Sequence, residues 1–225
     1  MTWTIPNILS VLRVVAAPCV ALAFAVFDRP DADRIALLIF ACAALTDYFD
    51  GQLARSLGQE SAFGKMLDPV ADKAMVSIAL ALLVALFEMH WSILVPAAII
   101  MLREVLISGL REYLGNVKLD VTRLAKWKTT LQMFAVGMLL AYGAVRPIEG
   151  AEPRNPILSD MLFYVSVGLG AIGTLVLWTA TWFTIITGWD YFRKGLAYIR
   201  DGEAAVAEGA PRTAAPESPA REPGE

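Results

Sequence analysis

The stretch "DYFDGQLARSLGQESAFGKMLDPVADK", residues 47–73, places four carboxylates, Asp47, Asp50, Asp68 and Asp72, in a strongly apolar chain. Asp47 and Asp50 are three residues apart and Asp68 and Asp72 four apart, so each pair shares one face of a helix. Two antiparallel helices joined by a short loop would turn those faces towards each other. Such a cluster repels itself, and an Asp at the centre of a membrane helix costs about 2.5–3.5 kcal/mol. A hard divalent cation removes the conflict. His90 is the one histidine, and Cys19 and Cys42 each lie inside an apolar run, so a metal here is held by oxygen: Mg²⁺, Mn²⁺ or Ca²⁺. Two ions could bridge four aspartates and leave positions open for phosphate oxygens, which suits in-line phosphoryl displacement. Gly51, Ala54 and Gly64 leave room beside the pairs for a ligand to approach the backbone, and Arg55 can add charge to a diphosphate.

The elements that must carry these residues read as membrane helices. Of 225 residues, 57% are hydrophobic and 18% charged, where a soluble domain has about 25% charged. Six apolar segments, 8–27, 35–54, 70–88, 91–112, 127–145 and 161–188, each approach the ~20 residues needed to cross the hydrocarbon. Helices satisfy their own backbone in lipid, and no period-2 alternation suggests a barrel. The fold class expected is therefore an all-α integral membrane protein with six transmembrane helices. "AFA" at 23–25 has the look of a cleavage site, but no Lys or Arg precedes the run and Arg13 interrupts it, so a retained first span is expected. Residues 1–192 form the catalytic domain in this reading, and 193–225, rich in Ala, Pro, Glu and Gly, a cytosolic disordered tail.

Positive charge sets the orientation. Arg55, Lys65, Arg111, Lys118, Arg123, Lys126, Lys128, Arg193, Lys194 and Arg200 fall on one side, against Arg29, Arg34, Arg146 and Arg154 on the other. Both termini then face the cytosol. Nearly every charge inside a span lies in the cytosolic half, which describes a polar cavity under one membrane face. The net charge of −3 suggests no nucleic-acid partner.

The eight fixed positions of D-x2-D-G-x2-A-R-x8-G-x3-D-x3-D are filled by Asp47, Asp50, Gly51, Ala54, Arg55, Gly64, Asp68 and Asp72. In this the chain resembles the CDP-alcohol phosphotransferases, integral membrane enzymes that build phospholipid headgroups. The resemblance implies six spans, a homodimer in the cytoplasmic membrane, and a site of two Mg²⁺ or Mn²⁺ ions facing the cytosol. It implies that Asp47, Asp50 and Asp68 hold the metals on the donor's diphosphate. Asp72 would complete the site and act as general base, and Gly51, Ala54, Arg55 and Gly64 would contact the CDP moiety. Asn7, after Pro6, either caps the first helix or lies near the nucleotide.

"TIPNILSVLRV", "REVLISGLREYLG" and "KWKTTLQM" resemble stretches of that family's phosphatidylglycerophosphate synthases. The donor expected is CDP-diacylglycerol. Arg103, Arg111, Lys126 and Lys128 supply more cation than its diphosphate needs, which points to an acceptor with its own phosphate, such as glycerol 3-phosphate. The competing readings are another acceptor within the family (inositol phosphate, serine or phosphatidylglycerol), snorkelling helix-end charges, an ion-coupled transporter and a membrane prenyltransferase. Against the last two stand the off-centre site and the lack of a repeated motif. Arg103 with Glu104 could instead be a structural pair, and Arg13 could either reach the cavity or snorkel.

Overall fold

A computed structural model describes residues 4–57, 62–114, 124–147 and 155–207. All the regular structure among them is helical: α1 Ile5–Val26, α2 Asp31–Leu57, α3 Ala62–Leu86, α4 Trp91–Leu114, α5 Leu124–Val145 and α6 Pro156–Ala207. Thr4 caps α1, its hydroxyl accepting from the Asn7 N–H, with proline in the first turn. The cap is therefore Thr4 and not Asn7. The turn between α3 and α4 is closed by Glu88 and Met89, both at positive φ.

Two segment boundaries differ from the sequence reading. "SLGQESAFG" reads as a connection up to Gly64, yet α3 already begins at Ala62. A Gly inside a helix costs only about 1 kcal/mol against Ala, which packing can override. At the other end of the chain, α6 runs on to Ala207 as one helix of 52 residues. The remainder of the expected tail, 208–225, lies outside the described residues.

The helix contacts close into a ring. α1 packs on α2 and α3, α2 on α5, α5 on α6, α6 on α4, and α4 on α3, with α3 also touching α5 across the middle. The core uses alanine where helices approach closely (Ala17, Ala36, Ala79, Ala97) and Leu80, Leu83, Ile100, Leu139, Leu140 and Leu177 to fill between them. Outward, each helix shows large apolar residues to its surroundings, among them Leu22, Leu38, Val70, Val105, Phe134 and Leu175. A surface so continuously apolar is solvated by hydrocarbon at little cost and by water at great cost. Four helices carry described stretches long and apolar enough to cross a membrane: Asn7–Val26, Met66–Leu86, Trp91–Leu114 and Pro156–Arg200. α2 carries six charged residues, and α5 opens on a polar stretch with Lys126, Lys128, Thr129, Thr130 and Gln132.

One end of the ring is pinned. Arg29 donates Nε to Asp33 Oδ2 at 2.8 Å and Nη2 to Oδ1 at 2.9 Å, and Asp33 is 1% exposed. Gly143 of α5 lies against this carboxylate so closely that a Cβ there would overlap it. The pair is bidentate, the strongest form of such a contact, and holds the Arg29 pKa above its ordinary value through that hydrogen bond. At the opposite end, the start of α1, the end of α2, the start of α3, the end of α4 and the start of α5 come together beside the middle of α6.

Candidate active site

Arg13 is the centre of the aspartate cluster. It sits two turns inside α1, about 12 Å from the start of the helix, and is 4% exposed. Its Nη1 donates to Asp47 of α2 and, at 2.9 Å, to Asp72 Oδ1 of α3. Nη2 donates to Asp68 Oδ1 at 3.3 Å. Ser10, one turn before it on the same face, gives its hydroxyl to the same Asp68 oxygen at 2.5 Å. Helix spacing puts Ser10 and Arg13 three residues apart and Asp68 and Asp72 four apart, so three helices meet through one residue face each. The three aspartate side chains remain about half exposed, at 47–48%. Pro69 removes one backbone bond from α3 directly after Asp68. Among the described residues no three acidic, histidine or cysteine side chains are arranged to hold an ion as they stand.

Beside the cluster opens a cavity of about 230 Å³ between α3, α4, α5 and α6. Its cations are Lys73, Arg103, Arg111 and Lys128, and its anions Asp72, Glu104 and Asp190. Glu104 ties two of the cations: Arg103 Nη1 donates to its Oε1 at 3.0 Å, and Lys128 Nζ donates to the same oxygen. Lys73 donates to Ser108 Oγ at 2.5 Å, and Ser108 in turn donates to the Glu104 carbonyl. Arg111 lies over the Tyr191 ring, 5.8 Å from its centroid. Gln132 bonds Thr184 at 3.0 Å behind the cavity. Gly188 of α6 lets Arg103 lie flat against that helix, since a Cβ there would stand 2.9 Å from Arg103 Cγ. Asp72 lines both this cavity and a narrow cleft that also contains Arg13 and Asp47. One carboxylate thus faces both the acidic cluster and the basic cavity.

Comparison with known sequences decides the family. The model of the CDP-alcohol phosphatidyltransferase domain matches residues 3–189. The chain belongs to the CDP-alcohol phosphatidyltransferase family. A relative from Cereibacter sphaeroides, named CDP-diacylglycerol–glycerol-3-phosphate 3-phosphatidyltransferase, is 47% identical over 89% of this chain and 99% of its own length. Relatives of the same name from Rickettsia bellii (38% identical over 87% of this chain and 97% of that protein) and Haemophilus influenzae (43% over 62% and 77%) are also similar.

In this phosphatidyltransferase the described geometry brings together six of the thirteen residues that sequence reasoning singled out. Asp47, Asp68 and Asp72 converge on one guanidinium, and Arg103, Arg111 and Lys128 share the cavity. Asn7 is buried at 4% exposure on α1, one turn before Ser10, and Gly64 is buried at the start of α3. Asp50, Gly51, Ala54 and Arg55 lie in α2 and Lys126 in α5, with side chains outside the described set. Sequence reasoning missed Ser10, Lys73, and the α6 residues Thr187, Asp190 and Tyr191. Lys73 was visible as the charge adjoining Asp72. Nothing local in α6 indicates that it closes the cavity. Glu104 proves to be shared between Arg103 and Lys128, so it is more than a partner for its neighbour in sequence.

Proposed function

We propose that the protein transfers the phosphatidyl group of CDP-diacylglycerol to the 1-hydroxyl of sn-glycerol 3-phosphate, giving phosphatidylglycerophosphate and CMP. The observation that carries the reading is the double position of Asp72, between the aspartate cluster and the basic cavity. The likeness to relatives named for this reaction, extending over nearly their whole length, supports it.

The donor set of the cluster is all carboxylate oxygen, which fits a hard divalent cation and not a soft one. Asp47, Asp50, Asp68 and Asp72 would hold two Mg²⁺ or Mn²⁺ ions. When bound, such ions neutralise diphosphate charge and lower the pKa of a coordinated hydroxyl. The chain's own residues do the rest. Gly51, Ala54, Arg55, Gly64 and Asn7 receive the CDP moiety. Arg103, Arg111, Lys126 and Lys128 bind the acceptor's phosphate and turn its free hydroxyl towards Asp72. Asp72 takes the hydroxyl proton as the new P–O bond forms at the phosphatidyl phosphorus and the bond to CMP breaks. A small phosphorylated acceptor matches a cavity of about 230 Å³ with four cations on its wall.

All six helices cross the membrane in this reading. The more polar α2 and α5 do so because polar residues such as Asp33, Asp47, Lys128 and Gln132 turn to the site or to the pinned end. Both termini and the site face the cytosol, so a soluble acceptor meets a donor whose acyl chains stay in lipid. Residues 1–192 are the catalytic domain, and the remainder is a cytosolic extension. The working unit is a homodimer, which crosslinking in native membranes would reveal.

The test uses purified protein with CDP-diacylglycerol, offering glycerol 3-phosphate, inositol phosphate and serine in parallel, with Mg²⁺ or with chelator. Metal-dependent CMP release with glycerol 3-phosphate alone, lost in folded Asp72→Asn, is the expected result. Release with another acceptor would overturn the assignment of the basic residues. No release from folded protein would overturn the reaction.

A further inference from the structure

Arg13 is a cation inside a site that is expected to work by binding cations. It carries none of the roles given above, yet it contacts Asp47, Asp68 and Asp72, the motif aspartates whose side chains are described, at once. At 4% exposure it is buried, while the described carboxylates around it are about half exposed. A buried guanidinium needs anionic partners, and converging carboxylates need a cation. Each solves the problem of the other in a protein that holds no metal.

The charges do not allow both solutions at full strength. Four aspartates carry a charge of −4, which two divalent ions balance by themselves. Two ions with Arg13 still fully engaged would leave the cluster at +1. The oxygens in demand are also the same: Asp47 Oδ1, Asp68 Oδ1 and Asp72 Oδ1 all accept from Arg13, and Ser10 takes a further share of Asp68. We propose that Arg13 is a built-in counter-cation that competes with divalent metal for these carboxylates. It keeps the cluster folded while empty and gives up its hold as ions load. The inference rests on the metal site proposed above. It makes Arg13 a positioning residue that acts through the aspartates.

The sign of its effect distinguishes it from an ordinary structural salt bridge. Removing an ordinary bridge loosens the site and weakens metal binding. Removing a competitor tightens it. An opposite charge next to a carboxylate changes its proton affinity by 1–3 pKa units, so loss of Arg13 should strengthen cation binding roughly tenfold or more.

The experiment titrates Mn²⁺ into purified full-length protein in detergent micelles, following free Mn²⁺ by electron paramagnetic resonance. It is done on the wild type, Arg13→Gln and Arg13→Lys, each prepared in Mg²⁺ and then stripped. Melting is recorded for each in chelator and in saturating Mg²⁺. Arg13→Gln is expected to bind Mn²⁺ roughly tenfold more tightly, and to melt lower than wild type in chelator but close to it in Mg²⁺. Arg13→Lys keeps the charge but cannot reach three carboxylates at once, so its affinity should lie between the two. Unchanged or weaker binding in both variants, or a melting deficit equal with and without Mg²⁺, would overturn the competition and leave the metal site standing. A wild type that binds no Mn²⁺ would instead overturn the metal reading, and the role of Arg13 with it.

Discussion

Replacing Glu104 by Gln tests the electrostatics of the basic cavity. Its side chain is 18% exposed, that of Lys128 6% and that of Arg103 17%, so this is a three-charge cluster largely out of solvent. Glu104 is the shared anion. Without it, two cations face each other with Lys73 nearby on the same wall. Stripping one partner from a buried pair costs about 3–5 kcal/mol, and the cavity's water argues for the lower end, about 3 kcal/mol. Lys128→Met is different, because Glu104 keeps Arg103 at 3.0 Å. About 1 kcal/mol is then at stake. At about 2–4 °C per kcal/mol for a chain of this size, Glu104→Gln should melt some 6–12 °C below wild type. Lys128→Met should lie within about 4 °C of wild type. The double variant should recover part of the Glu104→Gln loss, because the buried Lys128 that lacked a partner is gone. The assay is thermal melting by intrinsic fluorescence in detergent under matched lipid and salt. A Glu104→Gln protein that melts with wild type, or a double variant worse than the sum of the singles, would refute the reasoning.

Three other outcomes follow from the same geometry. Lys128→Met should raise the KM for glycerol 3-phosphate at least tenfold while leaving that for CDP-diacylglycerol within about twofold, since a charged contact is worth about 1.5–3 kcal/mol. Gly188→Ala places a Cβ 2.9 Å from Arg103 Cγ, so Arg103 must shift, and KM for the acceptor should rise severalfold with little loss of melting temperature. Gly143→Ala pushes a methyl into the Asp33 carboxylate and should cost about 1–3 kcal/mol of stability with normal turnover per folded molecule, read by melting and by CMP release in parallel.

What could be read in advance divides along physical lines. Spacings within one helix are local, so the shared faces of Asp47 with Asp50 and of Asp68 with Asp72 are visible in the bare sequence. The bias of positive charge is likewise visible in the bare sequence, although Arg55, Lys65, Arg111, Lys126 and Lys128 lie within helices and not in loops. Which helix stands next to which is not local. α6 closes the basic cavity with Thr187, Asp190 and Tyr191 because the ring order places it between α4 and α5, and no residue in α6 announces that neighbour. Arg13 is the sharpest case. A lone arginine in an apolar run either snorkels or turns inward, and the choice is made by carboxylates 34, 55 and 59 residues later. The early start of α3 was hidden for the opposite reason, a Ser- and Gly-rich stretch whose weak propensity is outweighed by the contacts its helix makes.

The order of those residues along the chain has a consequence for biosynthesis. Arg13 leaves the ribosome before Asp47, Asp68 and Asp72, on the helix that precedes theirs. When α2 and α3 follow, their aspartates enter beside a cation that is already in place, and α1 packs against both of these helices. In the half of the protein that carries the acidic cluster, α1 to α3, Arg13 thus offsets part of the charge of Asp47, Asp68 and Asp72 before α4 is made. The basic cavity, whose wall draws on α4, α5 and α6, is then assembled onto a partner that is still net negative and attracts its cations.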